Sequence, residues 1–162
     1  MERKIFLDMD GTIANLYQTE GWMEDFENER PIFANLQPLV DIDKLRELCQ
    51  NLKKEGFLVG IITWLPVRIL QPEVIPITRN YRIRCIADKI AWIRKHGLDI
   101  DEFHALDYGT PKENAIPEDG SIAILVDDNL EIVTNWEKKE GYFGIKVENG
   151  NTIDKIRKFL GI

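Results

Sequence analysis

Short apolar runs alternate along the chain with longer stretches in which apolar residues recur every three or four positions. The runs at 4–8, 57–63, 103–106, 122–126 and 143–147 read as buried strands. Ile42, Leu45, Leu48 and Leu52 recur at helical spacing, as do Ile83, Ile86, Ile90 and Ile93, and segments 130–139 and 153–160 behave likewise. Three helix ends carry the same punctuation: Lys53-Lys54-Glu55-Gly56, Arg94-Lys95-His96-Gly97 and Lys138-Lys139-Glu140-Gly141. Basic side chains suit the negative end of a helix dipole, and glycine tolerates the left-handed conformation after the last turn. Strand, helix, strand repeated in this way predicts an α/β protein with a parallel sheet covered on both faces.

Two stretches break the alternation. Residues 15–40 carry Tyr17, Trp22, Phe26 and Phe33 among Glu24, Asp25, Glu27 and Glu29, and are too long for an ordinary strand-to-helix loop. Residues 65–78 hold Pro66, Pro72 and Pro76, which exclude a continuous helix or a central strand. Both follow the carboxyl ends of predicted strands, where an α/β sheet carries its working loops.

The 162 residues are 44% hydrophobic and 30% charged, the profile of one soluble domain spanning 1–162. A chain this long buries roughly 70% of its unfolded surface, so Cys49 and Cys85 need no structural role and read as reduced thiols in a cytoplasmic protein. No run approaches the roughly 18 apolar residues of a membrane span, and Asp8 interrupts the amino terminus before a signal-peptide core forms. With 21 Lys+Arg against 28 Asp+Glu, the net charge of 21 − 28 = −7 argues against nonspecific duplex nucleic-acid binding. It leaves room for a small phosphorylated ligand if the carboxylates gather around a dication.

Carboxylates do gather at strand tips. The first strand ends in Asp8-Met9-Asp10-Gly11-Thr12 and the fourth in Val126-Asp127-Asp128-Asn129. An ionised carboxylate left unpaired at the end of a buried strand is costly, so a cation is expected between these tips. His96 and His104 have no metal-ligand or triad spacing and receive no role.

These motifs resemble the haloacid-dehalogenase-like (HAD) phosphohydrolases, whose first motif is DxDG[TV], whose second is a hydroxyl residue ending the second strand, and whose fourth is an acidic pair. The resemblance runs from Ile5 to about Val147 and is weakest over 15–40. It implies a Rossmann-like, doubly wound five-stranded sheet in the order 5-4-1-2-3, with Asp8, Asp10, Asp127 and Asp128 converging at the switch point. Four such charges raise one another's pKa values unless a dication compensates them, and Mg²⁺ suits hard oxygen ligands. By the same resemblance, Asp8 is the nucleophile that forms an aspartyl-phosphate, and Asp10 is the general acid and base. Asp8, the Asp10 backbone carbonyl and Asp128 would hold Mg²⁺, with Asp127 a ligand through water or an orienting neighbour. Glu131 stands where many relatives have an aspartate.

Thr63, ending the second strand, is expected to hydrogen-bond a phosphate oxygen. Two residues compete for the family's phosphate-balancing lysine: Lys112 in the Gly109-Thr110-Pro111-Lys112 loop, and Lys89 on the helix predicted from Ile83 to His96. Lys112 is preferred because a loop at the strand's carboxyl edge presents it to the crevice; Lys89 supports the same site from its helix.

Relatives choose substrates with an inserted cap. Asp10 and Thr63 are 53 residues apart, which leaves roughly 25 for a cap once the helix and strand between them are subtracted, a flap at about 15–40 and not a domain. So small a cap leaves the crevice open to a bulky phosphate or to completion by a second subunit in a homo-oligomer. Lys89 followed by Ala91-Trp92-Ile93 resembles the 5′(3′)-deoxyribonucleotidase branch. That branch stacks its base on an aromatic residue where this chain has Leu16; Tyr17, Trp22 and Trp64 are candidates to replace it, while Trp22 and Phe33 could equally close a small core of the flap. The expected function is a Mg²⁺-dependent phosphomonoesterase, with nucleoside monophosphates as the narrower reading. The alternative is a phosphate-binding module that has lost turnover. Residues 15–40 hold no lysine, which disfavours the imine chemistry of phosphonate cleavage, and Asp10 disfavours a dehalogenase.

Overall fold

The computed structural model describes residues 1–70 and 72–162; Gln71, inside the proline-bearing stretch, lies outside the described residues. In chain order the elements are β1 (Arg3–Leu7), α1 (Trp22–Glu27), α2 (Ile42–Lys54), β2 (Phe57–Trp64), β3 (Arg68–Leu70), β4 (Glu73–Ile75) and α3 (Arg79–Lys95). They continue with β5 (Glu102–Leu106), β6 (Ile122–Asp127), α4 (Leu130–Trp136), β7 (Tyr142–Lys146) and α5 (Thr152–Leu160).

The five expected strands form one sheet in the order β5-β2-β1-β6-β7. Every neighbouring pair is parallel. The chain winds outward from β1 through β2 to β5, then returns to the other side of β1 for β6 and β7, so the winding reverses between β1 and β6. Register does the rest. Leu7 pairs with Ile61 on one side and Val126 on the other, so Asp8 and Asp127 leave the sheet next to each other.

Strand side chains alternate between two apolar layers. Ile5, Leu7, Val59, Ile61 and Val126 join the larger cluster with Leu45, Leu48 and Leu52 of α2, Trp92 and Ile93 of α3, and Ile156 of α5. Phe6, Ile62 and Leu125 face the other way, against Ile132 and Trp136 of α4. Burying each such side chain contributes about 1.5–3 kcal/mol, which is why the 3.6-residue pattern of the helices governs where they sit.

The caps explain the helix limits. Asp41 accepts from the Lys44 amide at the start of α2, and Gly56 follows its end at φ +85°. Thr78 accepts from the Tyr81 amide, so α3 begins four residues before its first apolar position at Ile83. The expected punctuation of α4 is corrected: the helix stops at Trp136, and Gly141, at φ +78°, belongs to the turn that enters β7.

The two interrupting stretches differ in kind. Residues 15–40 are closed at their base, where the Asn15 amide bonds the Gln37 carbonyl and the Leu39 amide bonds the Ile13 carbonyl, each at 2.8 Å. Leu16, Phe26, Ile32, Phe33 and Leu36 are buried in the same cluster as β1 and β2, so this segment has no separate core. The proline-bearing stretch places β3 and β4 in an antiparallel hairpin outside the main sheet, an arrangement not legible from its prolines. No described helix is long and apolar enough to cross a membrane.

Candidate functional site

Immediately after β1 the chain turns sharply. The amides of Thr12, Ile13 and Ala14 all bond the Met9 carbonyl, and the Thr152 hydroxyl of α5 donates to the Thr12 carbonyl at 2.7 Å. Gly11 makes this turn possible at φ +83°, and a Cβ there would collide with the Asp128 carboxylate and the Tyr17 ring. Asp8 and Asp10, two residues apart, are thereby sent to different partners.

Asp8 meets the acidic pair of β6. Lys112 donates to Asp8 Oδ1 and to Asp127 Oδ2, both at 2.7 Å, and the Thr12 hydroxyl donates to Asp8 Oδ2 at 3.1 Å. Asp127 Oδ1 accepts from the Asn129 amide at 2.9 Å, while the Asn129 side chain caps α4. Both Asp127 oxygens are thus engaged. Asp8, Asp127 and Asp128 each offer a carboxylate oxygen, and the three lie within 4.8 Å of one another. Burial, then the charge of Asp8, raises Asp127 to about 6 and Asp128 to about 7. For Lys112, burial opposes the charge, but Asp8 and Asp127 outweigh it and hold the ammonium above its ordinary range. The donor set is hard, crowded and anionic, which fits a divalent cation with a preference for oxygen ligands. Glu131 is exposed and takes no part in the group.

Asp10 turns the other way. Its Oδ2 accepts from Lys89 at 2.7 Å, and Lys89 also donates to Thr63 Oγ1 at 2.9 Å. Burial raises Asp10, with Lys89 opposing that shift. The Asp10 side chain is therefore not part of the carboxylate group at Asp8, Asp127 and Asp128.

Both candidate lysines lie at the centre, in different places. Lys112 lines the cavity above the strand tips. Lys89 does not: it is 0% exposed, so its expected role as a substrate contact is corrected, because its ammonium is enclosed between Asp10, Thr63 and the Phe33 ring. Thr63 is likewise 0% exposed and serves Lys89, and its expected contact with a phosphate oxygen is not prepared in this arrangement.

The cavity, about 200 Å³, has the carboxylates at its floor and aromatic walls. Trp64 and Tyr108 form one wall, with centroids 4.9 Å apart, and Tyr17 and Trp22 another, edge to face at 5.3 Å. The three aromatic candidates Tyr17, Trp22 and Trp64 thus line it together. Phe26 and Phe33 also reach its lining while packing into the main core, so Phe33 belongs to both. The Trp64 indole donates to the Thr110 carbonyl at 2.8 Å and leaves its ring as an apolar face. Tyr108, Thr12, Asn129 and Phe33 are site neighbours that sequence reasoning did not assign. Thr12 stands inside the DxDGT string itself and Asn129 directly follows the acidic pair; Tyr108 and Phe33 approach through tertiary contacts that no local pattern announces.

No known family's sequence profile matches the chain, and no curated protein matches it. Solved structures do. A chain of the Pnkp1/Rnl/Hen1 complex superposes with a TM-score of 0.57 at 16% identity, over 92% of this chain and 47% of that one. A second structure, of the Pnkp1/Rnl/Hen1 RNA repair complex, gives 0.58 at 16% identity, over 93% of this chain and 44% of that one. The chain therefore spans less than half the length of these two neighbours, and the likeness is one of fold. A crystal structure of a target protein from Vibrio cholerae matches at a TM-score of 0.40 and 18% identity, over 84% of this chain and 98% of that one.

Proposed function

We propose that this protein is a phosphomonoester hydrolase of the HAD-like type, working through an aspartyl-phosphate on Asp8. The observation that carries the reading is the separation of the two motif aspartates. Asp8 shares Lys112 with Asp127, while Asp10 is held apart by Lys89. The chemistry asks two nearby carboxyls for two different tasks, one as nucleophile and one in proton transfer, and separate lysine partners hold the two in different positions. The strand order and the small insert at 15–40 agree with a Rossmann-like HAD core bearing a minimal cap.

Asp8 lies at the cavity floor, where its carboxylate can attack a bound phosphoryl group and split hydrolysis into two displacements. Lys112 has three N–H donors, of which Asp8 and Asp127 use two, leaving one toward the phosphate oxygens of the bound ester. Asp10 gives its proton to the leaving alcohol and later takes one from the attacking water. The carboxylates of Asp8 and Asp128, with the Asp10 backbone carbonyl, would hold Mg²⁺, which would supply neutralisation of charge on the phosphate. Asp127, with both oxygens engaged, orients Lys112 and the turn into α4.

The aromatic walls suit a nucleoside monophosphate, the narrower reading. Glu20, Glu24, Asp25, Glu27 and Glu29 cluster along the insert and disfavour a polyanion, so the RNA repair assemblies that contain the structural neighbours do not by themselves make RNA the substrate here.

Phosphate release from p-nitrophenyl phosphate, nucleoside monophosphates, sugar phosphates and a 5′-phosphorylated RNA, with Mg²⁺ or EDTA, tests the reading. Turnover that needs Mg²⁺ and is highest on small esters is expected. Silence across the panel, with Mg²⁺ bound, would favour the alternative of a phosphate-binding module.

A further inference from the structure

Consecutive residues of a strand point to opposite faces of the sheet. At the tip of β2 this alternation divides two neighbours between the two central lysines. Thr63 accepts from Lys89 on the α3 side, while Trp64 packs against the apolar layer of α4, the helix on which the Lys112–Asn114 turn also lies. Trp64 pairs in register with Leu106, so it stands beside the point where the chain leaves β5 for the loop that carries Lys112.

That loop has little packing of its own. Residues 107–111 are all exposed and belong to neither apolar cluster. Yet the loop delivers an ammonium, on a residue 2% exposed, to within 2.7 Å of two carboxylates. Its anchors come from other elements: Arg82 of α3 donates to Asp107 at 2.9 Å, Lys139 to the Glu113 carbonyl at 2.7 Å, and the Trp64 indole to the Thr110 carbonyl at 2.8 Å. The Arg82–Asp107 pair is open to solvent, where ion pairs hold little. Lys139 acts after Lys112 and stands outside the cavity lining, whereas Trp64 acts before it and lines the cavity.

The Trp64 anchor is mechanically close to the lysine. Two residues of chain span at most about 7 Å, so a pinned Thr110 carbonyl limits where the Lys112 side chain can start. The intervening Pro111, at φ −57°, has a ring that stiffens the link. The Trp64 ring meets the other end of the same side chain, with its centroid 5.6 Å from Lys112 Nζ, within cation–π range.

We propose that Trp64 is a positioning residue for Lys112, holding the loop through its indole N–H and the ammonium through its ring. The inference rests on the hydrolase reading and deepens it, because Lys112 is the cation that meets the phosphate in that reading. It gives Trp64 a task independent of the leaving group. A residue that only walls the cavity affects esters whose leaving group reaches the wall. A residue that places the cation facing the phosphate affects every phosphate compound the site accepts.

Trp64→Phe keeps an aromatic ring and removes the N–H. Its kcat/KM should fall about three- to tenfold, the worth of one hydrogen bond, on p-nitrophenyl phosphate and on ring-free acetyl phosphate alike. In a Lys112→Met background the same substitution should change kcat/KM less than about twofold, because its effect runs through the lysine. By calorimetry with Mg²⁺ present, affinity for inorganic phosphate should weaken about three- to tenfold in Trp64→Phe, with affinity for Mg²⁺ alone unchanged. Trp64→Leu, which also removes the ring, should lose at least as much, and it decides if Trp64→Phe does not fold. A loss confined to p-nitrophenyl phosphate, full additivity with Lys112→Met, or wild-type phosphate affinity would overturn the positioning role and leave the hydrolase reading intact. A wild-type protein that turns over neither compound would overturn the hydrolase reading, and the phosphate affinities of variant and wild type then decide the positioning role by themselves.

Discussion

The Trp92 indole donates to the carbonyl of Leu36 at 2.7 Å, across 56 residues of sequence, with the tryptophan fully buried. The bond ties the insert to α3. Tyr81 does the same about three helical turns earlier on the same face of α3, donating its hydroxyl to the Arg30 carbonyl at 2.8 Å, and Glu29 accepts from the Thr78 amide at 2.7 Å. The insert is therefore a wall of the site, anchored at several points and continuous with the core.

Trp92→Phe keeps most of the apolar volume and leaves the Leu36 carbonyl buried without its donor. A loss of about 1–3 kcal/mol in unfolding free energy is expected. Denaturant titration measures it, and amide exchange in residues 30–37 should quicken more than exchange in β1. Unchanged exchange there would show that the insert is held without this bond.

The sequence made much of this architecture readable. Five apolar runs and their intervening helical periods announced the sheet because burial on both faces leaves strands nearly continuous in hydrophobicity. Asp8, Asp10, Asp127 and Asp128 were legible because acids at strand tips conflict with core packing. The division of labour between Lys112 and Lys89 was not. Each lysine's partners lie 15 to 104 residues away, and which carboxylate it meets depends on the turn at Gly11 and the register of β1 with β6. Thr63 was read from its position at a strand end, which says nothing of whether its hydroxyl faces a cavity or a lysine. The short extent of α4 was missed for a related reason: the basic residues after Trp136 mimic a helix end while lying in turns.

Lys112→Met removes the cation that Asp8 and Asp127 share. A fall in kcat/KM of at least about 100-fold is expected on any phosphate ester, because the variant loses stabilisation of charge in the transition state. It should affect p-nitrophenyl and alkyl phosphates alike. A loss confined to the alkyl ester would exchange the roles of the two lysines.

In the metal-free protein Asp127 and Asp128 are raised to about 6 and about 7, above ordinary carboxyl values. The folded state therefore binds more protons than the unfolded state between about pH 4 and pH 7, and these groups favour folding less as pH rises through that window. Asp128→Asn should raise the metal-free Tm more at pH 8 than at pH 5. Mg²⁺ should stabilise the wild type more at pH 8 than at pH 5, and the variant little at either. Differential scanning fluorimetry across these conditions checks both, and equal Mg²⁺ shifts in the two proteins would remove Asp128 from the metal site.

Gly11→Ala places a Cβ where the Asp128 carboxylate and Tyr17 ring lie, on backbone at φ +83°. The left-handed conformation alone costs roughly 1–2 kcal/mol for a residue with a side chain. The expected outcome is a folded, less stable protein with Mg²⁺ affinity reduced at least about tenfold by calorimetry, since Asp128 must move. Wild-type affinity would show that the turn accommodates a side chain without disturbing the carboxylates.

The central claim is that Asp8 accepts the phosphoryl group, and the most direct measurement is acid quenching of the protein during turnover of a phosphate ester with Mg²⁺, followed by peptide mass spectrometry. The account predicts a phosphorylated peptide with the phosphoryl group on Asp8, absent from Asp8→Asn. Sustained phosphate release by Asp8→Asn at the wild-type rate, with no phosphorylated aspartate in either protein, would contradict it.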